Sequence, residues 1–422
     1  MWDLIQSNKR KSVALIFFLA VVLIALGYFV GFYIAPGDGG LYGAVAAMLV
    51  WTIMMAASVG GGEAILLASS GAREVDHNAA PQLFNIVEEM KIAAGLPAMP
   101  RVFIIDSDVP NAFAVGLNPK RAAVAVTTGL LSRLNRDELQ GVIAHEIGHI
   151  ANRDTLFMTL AGVTVGAVII IADLFLRGLF YGGGRTRRSS SRNEGQGAAI
   201  MAILSIILAI LAPILAQILY FACSRRREYL ADASSAQFTR YPEGLATALE
   251  KISGYHGERL QISRAVAPMM IINPLAAAGS STSIFSTHPA TEDRIRVLRS
   301  MAGGSSFAAY DQAFRSAHGD HGVIGSATLR GVSEFGVRKP SDEPAANASQ
   351  RMRSAKNILH NLNQFSTIAC SCGLKIKLPP GFDRPSLACP RCGAQHVVPP
   401  ELLAAAAALQ AAGGTPGRPP SA

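Results

Sequence analysis

The chain has 422 residues, half of them hydrophobic and only 16% charged, with a formal net charge of +9. That balance excludes an ordinary soluble protein. The positive surplus does not call for nucleic acid, because the basic residues flank apolar runs as positive-inside charges do. Ser12 to Gly37 carries no charge and follows Lys9, Arg10 and Lys11, and Gly39 to Gly62 is a second uncharged stretch. Each exceeds the ~20 residues that cross a ~30 Å hydrocarbon layer. A signal peptide would have a shorter apolar region and a small-residue cleavage site, so the first run reads as a retained anchor.

A soluble segment follows. Pro81 opens a helix with a buried face of Leu83, Phe84, Ile86, Val87 and Met90. Val102 to Ile105, Ala112 to Val115 and Ala122 to Val126 are short β-rich stretches between Pro and Gly residues and read as strands. The next helix carries the most informative residues in the chain, His145-Glu146-Ile147-Gly148-His149. Asn135 caps it, Glu138 completes a capping box, and Leu139, Val142, Ile143, Ile147 and Ile150 form its apolar stripe. Positions i and i+4 share a helix face, so both imidazoles reach one metal ion, and Glu146 is placed to act as general base on its water. Zinc suits the set because it lowers the pKa of bound water towards roughly 7.

Thr155 to Ala172 and Gly195 to Ser224 are two further apolar runs, the second interrupted by Pro213. Beyond them lies Glu228, the best candidate for a third zinc ligand, with Asp232 four residues on and on the same helical face. Asp232 is placed to fix the tautomer of a ligand imidazole. His149 and Glu228 must meet on one ion, so runs three and four either both cross the bilayer or both fail to. Arg185, Arg187, Arg188 and Arg192 between them disfavour translocation, whereas the length of both runs favours it. Lys9 to Lys11 and Arg225 to Arg227 place the N-terminus and the catalytic segments on the cytoplasmic side.

His-Glu-Ile-Gly-His followed some eighty residues later by Glu-x-x-x-Asp resembles the HtpX-type integral-membrane zinc metalloproteases, whose relatives include the CAAX prenyl endopeptidases. Pro110 to Gly116 looks like the family's substrate-strand segment. Ser286-Thr287-His288-Pro289, followed by Arg294, looks like its downstream histidine motif. The resemblance covers roughly residues 1 to 300. It implies His145, His149 and Glu228 as zinc ligands, Glu146 as general base and His288 as a transition-state partner. It also implies Asn111, Ala112, Phe113 and Arg294 as substrate-binding residues.

From about Met301 Ser, Gly, Ala, Asn and Pro dominate, and Lys339 to Pro344 has a linker's composition. Cys370-Ser371-Cys372-Gly373 and Cys389-Pro390-Arg391-Cys392-Gly393 then form two close pairs suited to a closed, four-thiolate structural zinc site. The first pair is C-x-C, which narrows its turn. Lys375, Lys377, Arg384 and Arg391 would permit nucleic acid, but a solvated surface accounts for them more simply.

The expected class is α+β, mostly α: a membrane protein with about four transmembrane helices, a zincin-type (gluzincin) catalytic domain and a small C-terminal zinc ribbon. The expected divisions are 1–72, two membrane helices; 73–300, the peptidase, interrupted by hydrophobic helices at 155–180 and 198–222; 301–365, a flexible linker; 366–398, the cysteine module; and 399–422, an Ala/Pro-rich tail. The expected cofactor is Zn2+, one ion catalytic and a second structural. The expected partners are membrane-protein substrates, the lipid bilayer and an unidentified partner of the ribbon. Quality-control proteolysis in the bacterial inner membrane, within a stress response, is the function this implies. Prenyl-protein processing and a non-catalytic zinc-dependent scaffold are the alternatives.

Overall fold

The computed structural model describes residues 2–181, 195–257, 270–272, 288–301, 303–319, 322–325, 329, 336–341, 346–362, 365–380 and 382–404. Arg185, Arg187, Arg188 and Arg192, Ser286 and Thr287, Asp342 to Pro344 and most of the Ala/Pro-rich tail lie outside the described residues.

Helices α1 (Trp2–Ile34) and α2 (Gly39–Ser69) form an antiparallel hairpin. A Cβ at Gly31 would stand 2.2 Å from the Gly39 carbonyl oxygen, and one at Gly43 2.2 Å from that of Gly27. Only glycine permits this approach, and close approach is how apolar helices gain packing energy where lipid offers no hydrophobic drive. Helices α6 (Asp154–Tyr181) and α7 (Gly195–Thr239) complete the bundle around Leu19, Leu23, Leu26, Val165, Val168, Ala212 and Ala216. Trp51 Nε1 donates to Thr164 Oγ1 at 3.0 Å and Ser205 Oγ to the Phe29 carbonyl at 2.8 Å, tying helices together across the bundle. Among the described residues four helical stretches are long and apolar enough to span a bilayer: Ser12–Ile34, Gly39–Ser69, Asp154–Leu179 and Ile200–Thr239. Their large exposed side chains, Phe17, Leu41, Ile53 and Leu174 among them, face outward where lipid would lie.

The soluble part is a small sheet covered by helices. Strands β1 (Arg73–Glu74), β2 (Arg101–Ile105), β3 (Ala112–Val115) and β4 (Ala123–Thr127) run in the order β1-β2-β4-β3. The β2–β4 pair is parallel, with Phe103 opposite Ala125, and β3 is an antiparallel edge with Phe113 opposite Ala125. Side chains alternate between two apolar layers, as the two-residue period requires. Val102, Ile104, Val124 and Val126 meet α3 (Pro81–Ala94) and α5 (Arg136–Ala151), while Phe103, Ile105, Phe113 and Val115 pack with Leu67 at the end of α2. Short helix α4 (Thr128–Arg133) leads into α5, and α8 (Pro242–Ser253) and α9 (Thr291–Arg299) close the far side of the core. The α+β, mostly helical class is as expected from the sequence.

The flexible-linker reading of 301–365 needs correction. Helix α10 (Phe307–His318) buries Phe307, Tyr310 and Ala313 in the catalytic core, and Val323 and Ile324 join them. Arg338 reaches Asp137 at 2.7 Å and Gln140 at 2.6 Å, and α11 (Ala348–Leu362) lays Ile358, Leu359 and Leu362 against the same core. These apolar residues are spaced between many small and polar ones, which hid them from a periodicity argument. Beyond them, hairpins β5 (Ser366–Ala369) with β6 (Lys375–Leu378) and β7 (Ser386–Ala388) with β8 (Gln395–Val397) carry the cysteines.

Candidate active site

The capping box that starts α5 forms as expected: Asn135 Oδ1 accepts from the Glu138 amide at 2.9 Å, and Glu138 Oε2 from the Asn135 amide at 2.8 Å. Such a cap stabilises the helix start by about 1 kcal/mol, and it fixes the frame of the residues three turns on. Gly148 lets α5 touch α7, since a Cβ there would lie 2.9 Å from Ser234 Cβ. That contact brings Glu228 of α7 over the two histidines. The Nε2 atoms of His145 and His149 converge to 3.2 Å, and they lie 3.6 and 3.4 Å from the two Glu228 carboxylate oxygens. One ligand atom from each of the three residues falls within 4.8 Å of the others.

The opposite ring nitrogens are held from behind. Asp232 Oδ1 lies 2.9 Å from His145 Nδ1, and Asp154 Oδ2 lies 3.1 Å from His149 Nδ1. Each imidazole therefore points Nε2 at the convergence point, the tautomer a metal requires. Burial opposes charge on both rings, but Asp232 and Glu228 raise His145, and Asp154 and Glu228 raise His149 well above the ordinary range. The same carboxylates favour positive charge where the ring nitrogens meet, which a divalent ion supplies. Glu146 is buried on the same helix, and neither carboxylate oxygen has a hydrogen-bond partner among the described residues. Burial lifts its pKa, against the pull of the two imidazoles. A buried carboxylate left unsatisfied beside three converging donors fits a zinc ion with a water.

The remaining expected residues are placed as follows. His288 Nε2 lies 3.8 Å from Glu228, and burial depresses its pKa despite the attraction of Glu228. Arg294, expected as a substrate contact, is only 1% exposed and is corrected to a support. Its guanidinium grips Asp232 through Nε at 2.9 Å and Nη2 at 2.7 Å, and Nη1 stands 3.4 Å from Glu228. Asn111, Ala112 and Phe113 do sit at the sheet edge, but that edge is taken by the chain itself. Ile271 donates its amide to the Ala112 carbonyl at 3.0 Å, Met270 bridges Phe113, and Asn111 Nδ2 donates to the Ile272 carbonyl at 2.9 Å. An expected substrate-binding stretch is thus internally paired from Asn111 to Phe113 among the described residues. The Met270–Ile272 segment gave no sequence signal beyond its apolar character.

The second cluster also forms. Cys370 Sγ lies 3.5 Å from Cys392 Sγ and Cys372 Sγ 3.7 Å from Cys389 Sγ; all five cysteines of the chain are free thiols. Gly373 and Gly393 adopt positive φ, 82° and 77°, so the C-x-C and C-x-x-C turns end alike. The Cys372 backbone amide draws the Cys370 thiol below its ordinary pKa. At Cys389 the amides of Cys392 and Arg391 outweigh burial to the same effect. Against the Ala394 amide, the neighbouring thiols push Cys392 up to about 12, so it is the convergence of four sulfurs, two of them readily ionised, that suits a tetrahedral zinc.

A buried H-E-x-x-H helix faced by a carboxylate from a membrane-bundle helix defines a zincin-type metallopeptidase. Residues 77–302 match peptidase family M48. The chain is 44% identical over 300 residues to a protease HtpX homolog of Dictyoglomus thermophilum, covering 71% of this chain and 94% of that one. It is 42% identical over 301 residues to a protease HtpX homolog of Thermoanaerobacter pseudethanolicus, covering 71% and 98%. A solved structure with some likeness is that of S. mikatae Ste24p, at 19% identity and a TM-score of 0.41 over 71% of this chain and 67% of that one. The chain belongs to peptidase family M48, as a membrane-bound zinc metalloprotease of the HtpX type.

Proposed function

We propose that this protease hydrolyses damaged or misassembled membrane proteins from the cytoplasmic face of a bacterial inner membrane, as part of a stress response. The observation that carries the reading is the convergence of His145, His149 and Glu228 beside the Glu146 carboxylate, which has no hydrogen-bond partner among the described residues. Bound by those three side chains, zinc would supply a Lewis acid and a water acidified towards a pKa of roughly 7. Glu146 takes the proton of the attacking water and passes it to the leaving amine. His288 donates an N–H to the oxygen of the scissile carbonyl as charge builds on it. Asp232 keeps His145 oriented, and Cys370, Cys372, Cys389 and Cys392 would hold a second, structural zinc.

Membrane-protein substrates are favoured by a largely apolar cavity of about 540 Å³ between α2, α6 and α7, which opens beside Ala114, Val115 and Gly116 at the end of β3. The carboxyl oxygens of Glu146 are the part of the mechanism most directly testable. Glu146→Gln should retain the full zinc content and lose activity on a purified membrane-protein substrate by roughly 10²- to 10⁴-fold. Membranes carrying the variant should accumulate intact proteins that the active enzyme removes. Cleavage by Glu146→Gln at near the parent rate would refute the mechanism.

A further inference from the structure

The supports of the two histidines are not equivalent. His145 is backed by Asp232 on α7, one helical turn from the ligand Glu228 and gripped by Arg294. His149 is backed by Asp154, the first residue of α6, which is 2% exposed and belongs to none of the expected motifs. Asp154 is itself held: its Oδ1 pairs with Arg227 Nη1, and Arg227 Nη2 donates to Ser12 Oγ. Arg227 is 5% exposed, and its guanidinium also lies 5.4 Å above the Phe157 ring. Ser12 is 2% exposed and opens the apolar part of α1, 65 residues before the M48 match begins at residue 77 (77 − 12 = 65).

We propose that Asp154 is a positioning residue for the metal ligand His149, and that Arg227 and Ser12 anchor it, so that the first membrane helix helps hold the zinc site. The physical ground is the carboxylate–imidazole contact itself. A ring whose Nδ1–H donates to a carboxylate presents Nε2 to the metal in one orientation and is the better ligand. Oδ2 of Asp154 faces His149 while Oδ1 is engaged by Arg227, so the carboxylate cannot swing away without stranding a buried guanidinium. Ser12 fixes the other end of that guanidinium. The chain order explains why the anchor is needed: Arg153 turns the chain at φ 59° between α5 and α6, leaving Asp154 at a helix junction and not in the middle of a rigid element.

A purely structural role at that junction makes a different prediction, because it would lower the stability of metal-free and zinc-loaded protein alike. The inference rests on His145, His149 and Glu228 being the zinc ligands, so the experiment on the full-length protein includes His149→Ala. Zinc affinity is measured by chelator competition, the site is read by the visible spectrum of Co2+ in its place, and melting is followed with and without metal. Asp154→Asn should weaken zinc about 10- to 100-fold, alter the cobalt spectrum, and lower kcat while KM stays near the parent value. Melting of the metal-free protein should also fall, because Arg227 loses its buried counter-charge, so the positioning role is read from a zinc-induced rise in melting temperature smaller than the parent's. Ser12→Ala should act in the same direction, weakening zinc between about three- and tenfold.

If His149→Ala keeps the parent's affinity at this site, the ligand reading itself fails. If His149→Ala loses the metal while Asp154→Asn keeps the parent affinity and cobalt spectrum, the positioning role of Asp154 is overturned. Should Asp154→Asn not fold, Ser12→Ala decides: weakened zinc in a stably folded variant supports the relay, and unchanged affinity overturns it.

Discussion

Arg294 shows how a residue's role follows from what surrounds it. Its guanidinium satisfies both Asp232 oxygens, accepts a place 3.4 Å from Glu228, and donates to the Ile271 carbonyl at 3.1 Å, all at 1% exposure. Removing one partner of a buried ion pair strands the other and typically costs about 3–5 kcal/mol. Arg294→Met should therefore lower the apparent melting temperature by about 10 °C for a catalytic region of this size and weaken zinc through Asp232 and His145. A melting temperature within about 2 °C of the parent's, with only KM raised, would return Arg294 to the role of substrate contact. Residue-scale features were legible where their logic is local. His145, Glu146 and His149 share a helix turn, and Glu228 and Asp232 share another, so side-chain chemistry and spacing sufficed. Arg294 and Met270 act through neighbours that are distant in sequence, and Asp154 reaches His149 across the turn between α5 and α6, where no helical spacing rule applies.

At the scale of elements, the strands and the α5 cap could be read from the sequence because short β-branched runs and an Asn-x-x-Glu pair act through adjacent residues. Helix α7 could not be read as one element. Arg225 to Arg227 look like the border of a membrane run, yet the helix continues through them to Thr239, with Leu230, Ala233 and Ala236 buried against the catalytic core. A single helix thus joins an apolar span to Glu228, the proposed third zinc ligand. Because α6 leaves from beside His149 and α7 returns with Glu228, the two helices must span the bilayer together or not at all. The proposed topology, in which α1 and α2 also cross as a pair, puts the catalytic surface on the side of the N-terminus. On intact cells, a membrane-impermeant thiol reagent should label Asp38→Cys above the background of native thiols. It should miss Lys120→Cys and Ser253→Cys, which occupy exposed catalytic-region positions. Labelling of Lys120→Cys but not Ser253→Cys would contradict the paired crossing; labelling of both without Asp38→Cys would invert the proposed sidedness.

For the whole molecule, the docking of residues 336–341 and 346–362 changes where the chain can be divided. Arg338 bridges Asp137 and Gln140 at the start of α5, Arg351 Nε donates to the Ser132 carbonyl at 3.2 Å, and α11 covers α4. A cut near Pro340 would uncover Ile358 and Leu359's contact surface on the catalytic core and destabilise it. A cut after Leu362 would leave that surface covered and remove the cysteine module, whose small core is its own: Cys370, Ile376, Leu378, Cys389 and Val398. So few apolar residues rarely hold a fold without a metal or disulfides, and these thiols are free. The full-length reduced protein should therefore contain two zinc ions, and the chain ending at Leu362 one, with intrinsic peptidase activity retained. A chelator should strip the three-ligand site first, because an open position and fewer thiolates hold zinc less firmly than a closed set of four. Activity should accordingly vanish before the second ion is released. A single zinc in the full-length protein that persists after truncation at Leu362 would show that the cysteines bind no metal, and the module's stability would then need another source.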